Sequence, residues 1–212
     1  MSDSANLPLF LISVIGISLS GVMMPGPVTA VTIARGADHK VAGALVALGH
    51  GLVELPLIVL IYFGFAHQLE LEGVKIGVSL AGGLVLIWMA LRVFRTQPVS
   101  VDAPHSYRGQ GSVAAGVLTT VTNPYFYVWW AAVGAALLAD ARDFGNAGVA
   151  AMGVTHWLCD LAWLFLISWV VFKSKRLWTP RVHRWVFGAC ALVLAGFGAW
   201  FIVSGIDLAI GA

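Results

Sequence analysis

Residues 7–36 read LPLFLISVIGISLSGVMMPGPVTAVTIARG, and no charged residue occurs between Asp3 and Arg35. An uncharged apolar run of this length fits a membrane-spanning helix, which takes about 20 residues. Pro25-Gly26-Pro27 falls inside it. A proline removes one backbone N–H and displaces the carbonyl four residues back; two prolines around a glycine cut the run in two. In hydrocarbon the freed backbone groups need an internal partner or a wet cavity, so the break reads as the edge of a binding site. The run is too long for a secretory signal and has no basic residues before it, so it is expected to stay as a first helix.

The rest of the chain has the same character. Of 212 residues, 59% are hydrophobic and 10% charged, against about 45–50% and about 25% in soluble domains. So few charges cannot coat a soluble surface, which excludes a soluble enzyme, a nucleic-acid binder and a disordered chain. The apolar stretches are continuous rather than alternating, unlike those of a transmembrane barrel. Six windows emerge: 7–34, 41–66, 74–94, 113–139, 145–172 and 186–205. The expected fold is an all-α polytopic membrane protein of six transmembrane helices. Ten of the 12 basic residues fall in the three loops after the first, third and fifth windows; Lys75 and Arg142 lie opposite. The bias of basic residues to cytoplasmic loops then places both termini outside the cell membrane. Cys159 and Cys190 lie in apolar stretches and no CxxC occurs, so both read as buried free thiols.

Residues 96–111, TQPVSVDAPHSYRGQG, form the longest polar stretch and read as a linker between 1–95 and 112–212. Three helices in each part put the second into the membrane from the opposite side, the arrangement of an inverted-topology repeat. An offset of 106 residues carries His50 and Glu54 onto His156 and Asp160, and Gly82-Gly83 onto Gly188-Ala189. The fourth window is broken at Asn123-Pro124 as the first is at Pro25-Gly26-Pro27.

Two groups of residues carry the expected chemistry. Half-helices starting near Val28–Thr29 and Tyr125–Phe126 would present free N–H groups and a positive dipole end, which attract an anion such as a carboxylate. The binding residues on this reading are Pro25, Gly26, Pro27, Thr29, Asn123, Pro124 and Tyr125. The second group is Glu54 and Asp160, each near the middle of its window, with His50 and His156 one turn earlier on the same face. Ionisable residues at that depth are costly and usually face a polar cavity. Each His–carboxylate pair is expected to bond internally and hold a proton or a cation, the two pairs facing each other across one cavity. Eight of nine Trp follow residue 128. Trp178, Trp185 and Trp200 read as interfacial anchors, whereas part of the 125–130 run YFYVWW lies deep enough to pack against or gate the cavity. Gly77 and Ala81, four apart, would permit a homodimer contact.

SGVMMPGPVTAVTIARG at 20–36, GHGLVELPLIVL at 49–60 and TNPYFYVWWAAVGAALL at 122–138 resemble the LysE family of amino-acid exporters, and the resemblance covers essentially the whole chain. Its most specific mark is the Pro-Gly-Pro element. The resemblance implies a six-helix inner-membrane protein that expels amino acids such as lysine, arginine, threonine or homoserine, driven by the membrane potential or a proton gradient. It implies that Pro25, Gly26, Pro27, Asn123 and Pro124 belong to the transport core. Such a protein works on a small molecule within a lipid bilayer, needs no cofactor or nucleic acid and is not an enzyme. The chain departs from the family at Glu54, where Asp is common, and at Tyr125, where Lys is common. Two other readings compete. Two His and two carboxylates at one depth also suit a divalent-metal exporter, although neither helix supplies a third ligand. Ser18 or Ser20 with a histidine would suit an intramembrane hydrolase, but their context, GISLSG, is not GxSxG. No phosphate-binding GxxxxGK loop occurs.

The charge distribution predicts that a cysteine replacing Gln110 is shielded from an impermeant thiol reagent added to intact cells; labelling there overturns the orientation. Replacing Pro25-Gly26-Pro27 by three alanines is expected to abolish export while leaving membrane insertion intact. Normal transport by that variant would reduce the break to a kink.

Overall fold

The computed structural model describes residues 6–24, 26–64, 71–95, 109–177 and 179–211. Pro25, residues 96–108 of the expected linker, and Trp178 lie outside the described residues. All regular elements among those described are helical.

Helix α1 spans Leu7–Val22, started by the Asn6 side chain, which accepts from the Leu9 N–H at 3.3 Å. Helix α2, Pro27–Gly36, begins on a proline, whose fixed φ suits a first helical position. The two axes differ by 80°, so the first expected span is a sharply bent pair. Helix α3 runs Ala42–Tyr62. It stops short of residue 66 because Gly64 adopts φ +95°, a conformation that suits glycine at a helix end. Helix α4 follows at Glu72–Phe94. The expected fourth span is divided into α5, Gly109–Val121, α6, Pro124–Trp129, a π turn, Trp130–Gly134, and α7, Ala135–Arg142. Helix α8 occupies Gly145–Ser174. After a 3-10 turn at Lys175–Leu177 comes α9, Pro180–Gly211, which overruns the expected 186–205 at both ends.

Four helices, α3, α4, α8 and α9, are each long and apolar enough to cross a bilayer, and the bent pair α1 and α2 brings the number to five if it is one span. Large apolar side chains such as Leu52, Leu84 and Leu192 point outward, as they do where the surrounding solvent is lipid. Helix α3 packs against α5 and α8; α1 and α2 also lie on α8. Helix α4 runs along α9, and this pair joins the remainder chiefly through α2.

Two apolar clusters bracket a polar layer. One gathers Val46 and Ala47 of α3, Leu86 of α4, Leu164 of α8 and Leu194 of α9. The other gathers Val14 of α1, Leu57 and Ile58 of α3, Leu138 of α7 and Met152 of α8. Along α3 the order is therefore apolar, His50 and Glu54, apolar; along α8 it is Met152, then His156 and Asp160, then Leu164. The four ionisable groups sit midway along their helices, as the sequence predicts. Cys159 and Cys190 are buried free thiols.

The α4–α9 crossing is reciprocal. A Cβ on Gly83 would lie 2.6 Å from the Gly198 carbonyl oxygen, and one on Gly198 would lie 2.8 Å from that of Gly83. Both neighbours are backbone atoms, so neither can turn aside. Gly83 thus meets Gly198, whereas a Cβ on Gly188 would meet open space. Overpacking of this kind costs about 1–3 kcal/mol. Gly83→Val and Gly198→Val are therefore each expected to lower the thermal midpoint of the detergent-solubilised protein by several degrees, roughly 2–4 °C per kcal/mol. Gly188→Val should leave it unchanged, and equal midpoints for all three would refute the crossing.

Candidate functional site

Helices α3 and α8 bring their two His–carboxylate pairs into a single cluster rather than to opposite faces of a cavity. Glu54 Oε1 accepts from His50 Nε2 at 3.0 Å, from His156 Nε2 at 3.1 Å and from Trp130 Nε1 at 3.2 Å. The expected pairing of His156 with its own Asp160 is replaced by a crosswise bond, because His156 Nε2 stands 3.6 Å from Asp160 Oδ2 and closer to Glu54. Asp160 Oδ1 lies 3.9 Å from His50 Nε2. Among the described residues, Glu54 Oε2 and Asp160 Oδ2 are buried without a hydrogen-bond partner. A buried acceptor without a donor costs about 1–3 kcal/mol, more if charged, so these two oxygens are where a donor from outside would gain most.

Each imidazole is oriented from its far side by a hydroxyl on another helix. His50 Nδ1 lies 2.8 Å from Thr120 Oγ1 of α5, and His156 Nδ1 lies 2.7 Å from Ser18 Oγ of α1. Both hydroxyl-bearing residues are fully buried. Ser18 was a candidate nucleophile on the hydrolase reading; it does contact a histidine but does not reach the cavity wall. The orienting role of Thr120 was not foreseen. Its only sequence signal is its place one turn before Pro124.

Aromatic rings enclose the imidazoles. Phe126 meets His50 edge-on with centroids 5.4 Å apart. Trp129 stacks on His156 at 5.0 Å, and Trp130 meets the same ring edge-on at 5.1 Å. The π turn after Trp129 helps aim these two consecutive indoles at one site, and π turns recur at functional sites. Gly134 makes room within the turn: a Cβ there would lie 2.1 Å from the Trp130 ring.

These groups open on a cavity of about 320 Å³, whose wall includes His50, Glu54, His156 and Asp160. Gly26, Pro27, Thr29, Asn123 and Tyr125 also line it. Pro124 instead lines a neighbouring cavity of about 310 Å³ between α4, α6 and α9, which shares Tyr125 and Trp200 with the first. Pro25 lies outside the described residues. Trp200, expected as an interfacial anchor, stands on the wall of both cavities.

The two helix starts are not equivalent. At α6 the Asn123 side chain accepts from the Tyr125 N–H at 3.1 Å, and the Phe126 N–H bonds the Asn123 carbonyl, also at 3.1 Å. The expected free amides at Tyr125–Phe126 are thus already engaged, since an Asn at this position caps its own helix. At α2 the residue before Pro27 is Gly26, which has no side chain to cap the helix. Thr29 Oγ1 reaches back to the Met24 carbonyl at 3.4 Å. Of the two starts, α2 is therefore the one without a side-chain cap among the described residues.

The chain is 27% identical over 180 residues to the chemotactic transduction protein ChpE of Pseudomonas aeruginosa, covering 81% of this chain and 87% of that one. It is 26% identical over 216 residues to the threonine efflux protein of Escherichia coli strain K12, covering 93% and 99%. It is 25% identical over 209 residues to the threonine efflux protein of Salmonella typhi, covering 89% and 95%. No solved structure matches the chain. Residues 19–205 match the LysE type translocator, a span that takes in the whole cavity wall. The chain therefore belongs to the LysE type translocator family and is a transporter rather than an enzyme.

Proposed function

We propose that the protein exports amino acids, or similar small zwitterions, from the cell by alternating access coupled to protons or to the membrane potential. The observation that carries this reading is the pair of unpartnered carboxylate oxygens, on Glu54 and Asp160, beside a cavity at the middle of α3 and α8. An ammonium group supplies the donors they lack. The open start of α2, with Gly26, Pro27 and Thr29 on the wall, offers amides and a positive dipole end to a carboxylate. A zwitterion satisfies both at once. The threonine efflux relatives support the same substrate class.

Coupling needs a group whose proton can be exchanged when substrate arrives. The two Nε2 atoms face a shared acceptor and so carry hydrogens. Thr120 has one hydroxyl proton but two neighbours at 2.8 Å, the Gly116 carbonyl and His50 Nδ1. When the hydroxyl donates to Gly116, His50 Nδ1 is free to donate to Thr120, and the ring holds a second proton. His50, His156, Glu54 and Asp160 are on this reading the coupling residues.

The architecture proposed is six transmembrane helices in two inverted three-helix repeats, 1–95 and 112–212 around the linker 96–111, with both termini extracytoplasmic. The matched bonds Ser18–His156 and Thr120–His50 support it, since each joins a helix just before a break to the mid-helix histidine of the other half. The alternative, export of a divalent cation, draws on one observation: His50, Glu54 and Asp160 bring ligand atoms within 4.8 Å of one another. Against it, the imidazole Nε2 atoms are turned to donate to Glu54, whereas a metal needs their lone pairs.

Glu54→Gln keeps the shape of the side chain but removes its charge. In proteoliposomes it is expected to lower uphill export by more than about tenfold, the equivalent of about 1.4 kcal/mol, while exchange between equal compartments partly survives. Asp160→Asn is expected to act in the same direction but less severely. Uphill export by Glu54→Gln at the parental rate would make the carboxylate structural.

A further inference from the structure

The cavity is chemically lopsided. Its ionisable groups are gathered at one end, where the atoms of His50, Glu54 and Asp160 lie within 4.8 Å of one another. The wall also carries Phe126, Trp129, Leu164, Phe197 and Trp200. Three polar atoms on that wall are already engaged, Thr29 Oγ1 on the Met24 carbonyl, Asn123 Oδ1 on the Tyr125 N–H and Trp130 Nε1 on Glu54; Tyr125 also lines it. The aromatic surface begins directly against the charged end, since Trp129 stacks on His156 and Phe126 abuts His50.

Resting on the amino-acid reading above, we infer that the substrates are amino acids with one ammonium group and a bulky apolar or aromatic side chain. The ammonium takes the free oxygens of Glu54 and Asp160, and the side chain lies among Phe126, Trp129, Phe197 and Trp200. A second ammonium, as in lysine, finds no counter-charge at the aromatic end, because both carboxylates are at the other. A side-chain hydroxyl, as in threonine, meets there a wall made chiefly of rings and hydrocarbon. A volume of about 320 Å³ is at the lower end of ordinary small-molecule pockets and suits one such molecule.

Selection against the hydroxyl is modest, because an apolar pocket rejects an added hydroxyl by only about 100-fold and a missing methylene by about 10–200-fold. The test is thermal stabilisation of the purified, detergent-solubilised protein by glycine, threonine, lysine, leucine, methionine and phenylalanine, since a ligand that binds only the folded state raises its midpoint. Leucine, methionine and phenylalanine are expected to act at concentrations at least about tenfold lower than threonine or lysine. Trp200→Ala is expected to narrow the gap between phenylalanine and glycine, and Trp200→Phe to restore it. Threonine or lysine acting at concentrations as low as leucine does overturns the inference while leaving amino-acid export standing. Stabilisation by none of the six overturns both.

Discussion

One carboxylate oxygen, Glu54 Oε1, takes hydrogen bonds from three donors that belong to three elements: His50 on α3, His156 on α8 and Trp130 in the π turn. Moving such a charge from water into a medium of low dielectric costs on the order of 20 kcal/mol in the idealised limit. A Glu in the middle of α3 is therefore tolerable only if several donors converge on it. Their convergence fixes how α3 and α8 sit against each other, and it fixes which way the π turn must aim its indole. Ser18 and Thr120 then hold the imidazoles from behind, so α1 and α5 are drawn into the same network. The arrangement satisfies one oxygen fully and leaves the other, with one of Asp160, buried without a donor.

Much of this was legible in the sequence, for a local reason. Apolar length, the positions of charges and an i,i+4 spacing are properties of one segment, so the long spans, the breaks and the mid-helix depth of His50, Glu54, His156 and Asp160 could be read directly. The crosswise bond from His156 to Glu54 could not. It depends on how closely two helices approach, and within one helix the Asp160 partner looks equally good. The same limit applies to Gly83, whose close approach to Gly198 leaves no signal within its own segment.

One misreading has a more specific cause. The amides after Asn123 were expected to be free because Pro124 interrupts the helix, but the interrupting residue is preceded by a side chain that caps it. Gly26 has no such side chain, and the outwardly similar break at α2 has no side-chain cap. A proline thus signals that donors are released; the residue before it decides whether they remain available. Trp200, read as an interfacial anchor from its place near the end of its window, is more than half exposed and also borders both cavities.

The cavity joins two parts of the molecule that are built differently. Its charged end belongs to α3 and α8, whose ionisable groups are tied together by hydrogen bonds and held by α1 and α5. Much of its aromatic end belongs to α9, through Phe197 and Trp200, and α9 packs chiefly on α4. No hydrogen bond among those described links Phe197 or Trp200 to the Glu54 cluster, so a change in shape at that wall need not break any bond at the carboxylates. The reverse does not hold for Trp130, which lies on the wall and also donates to Glu54. Size and polarity at Phe197 and Trp200 can therefore vary with what is carried, whereas Trp130 is constrained by the charge it covers.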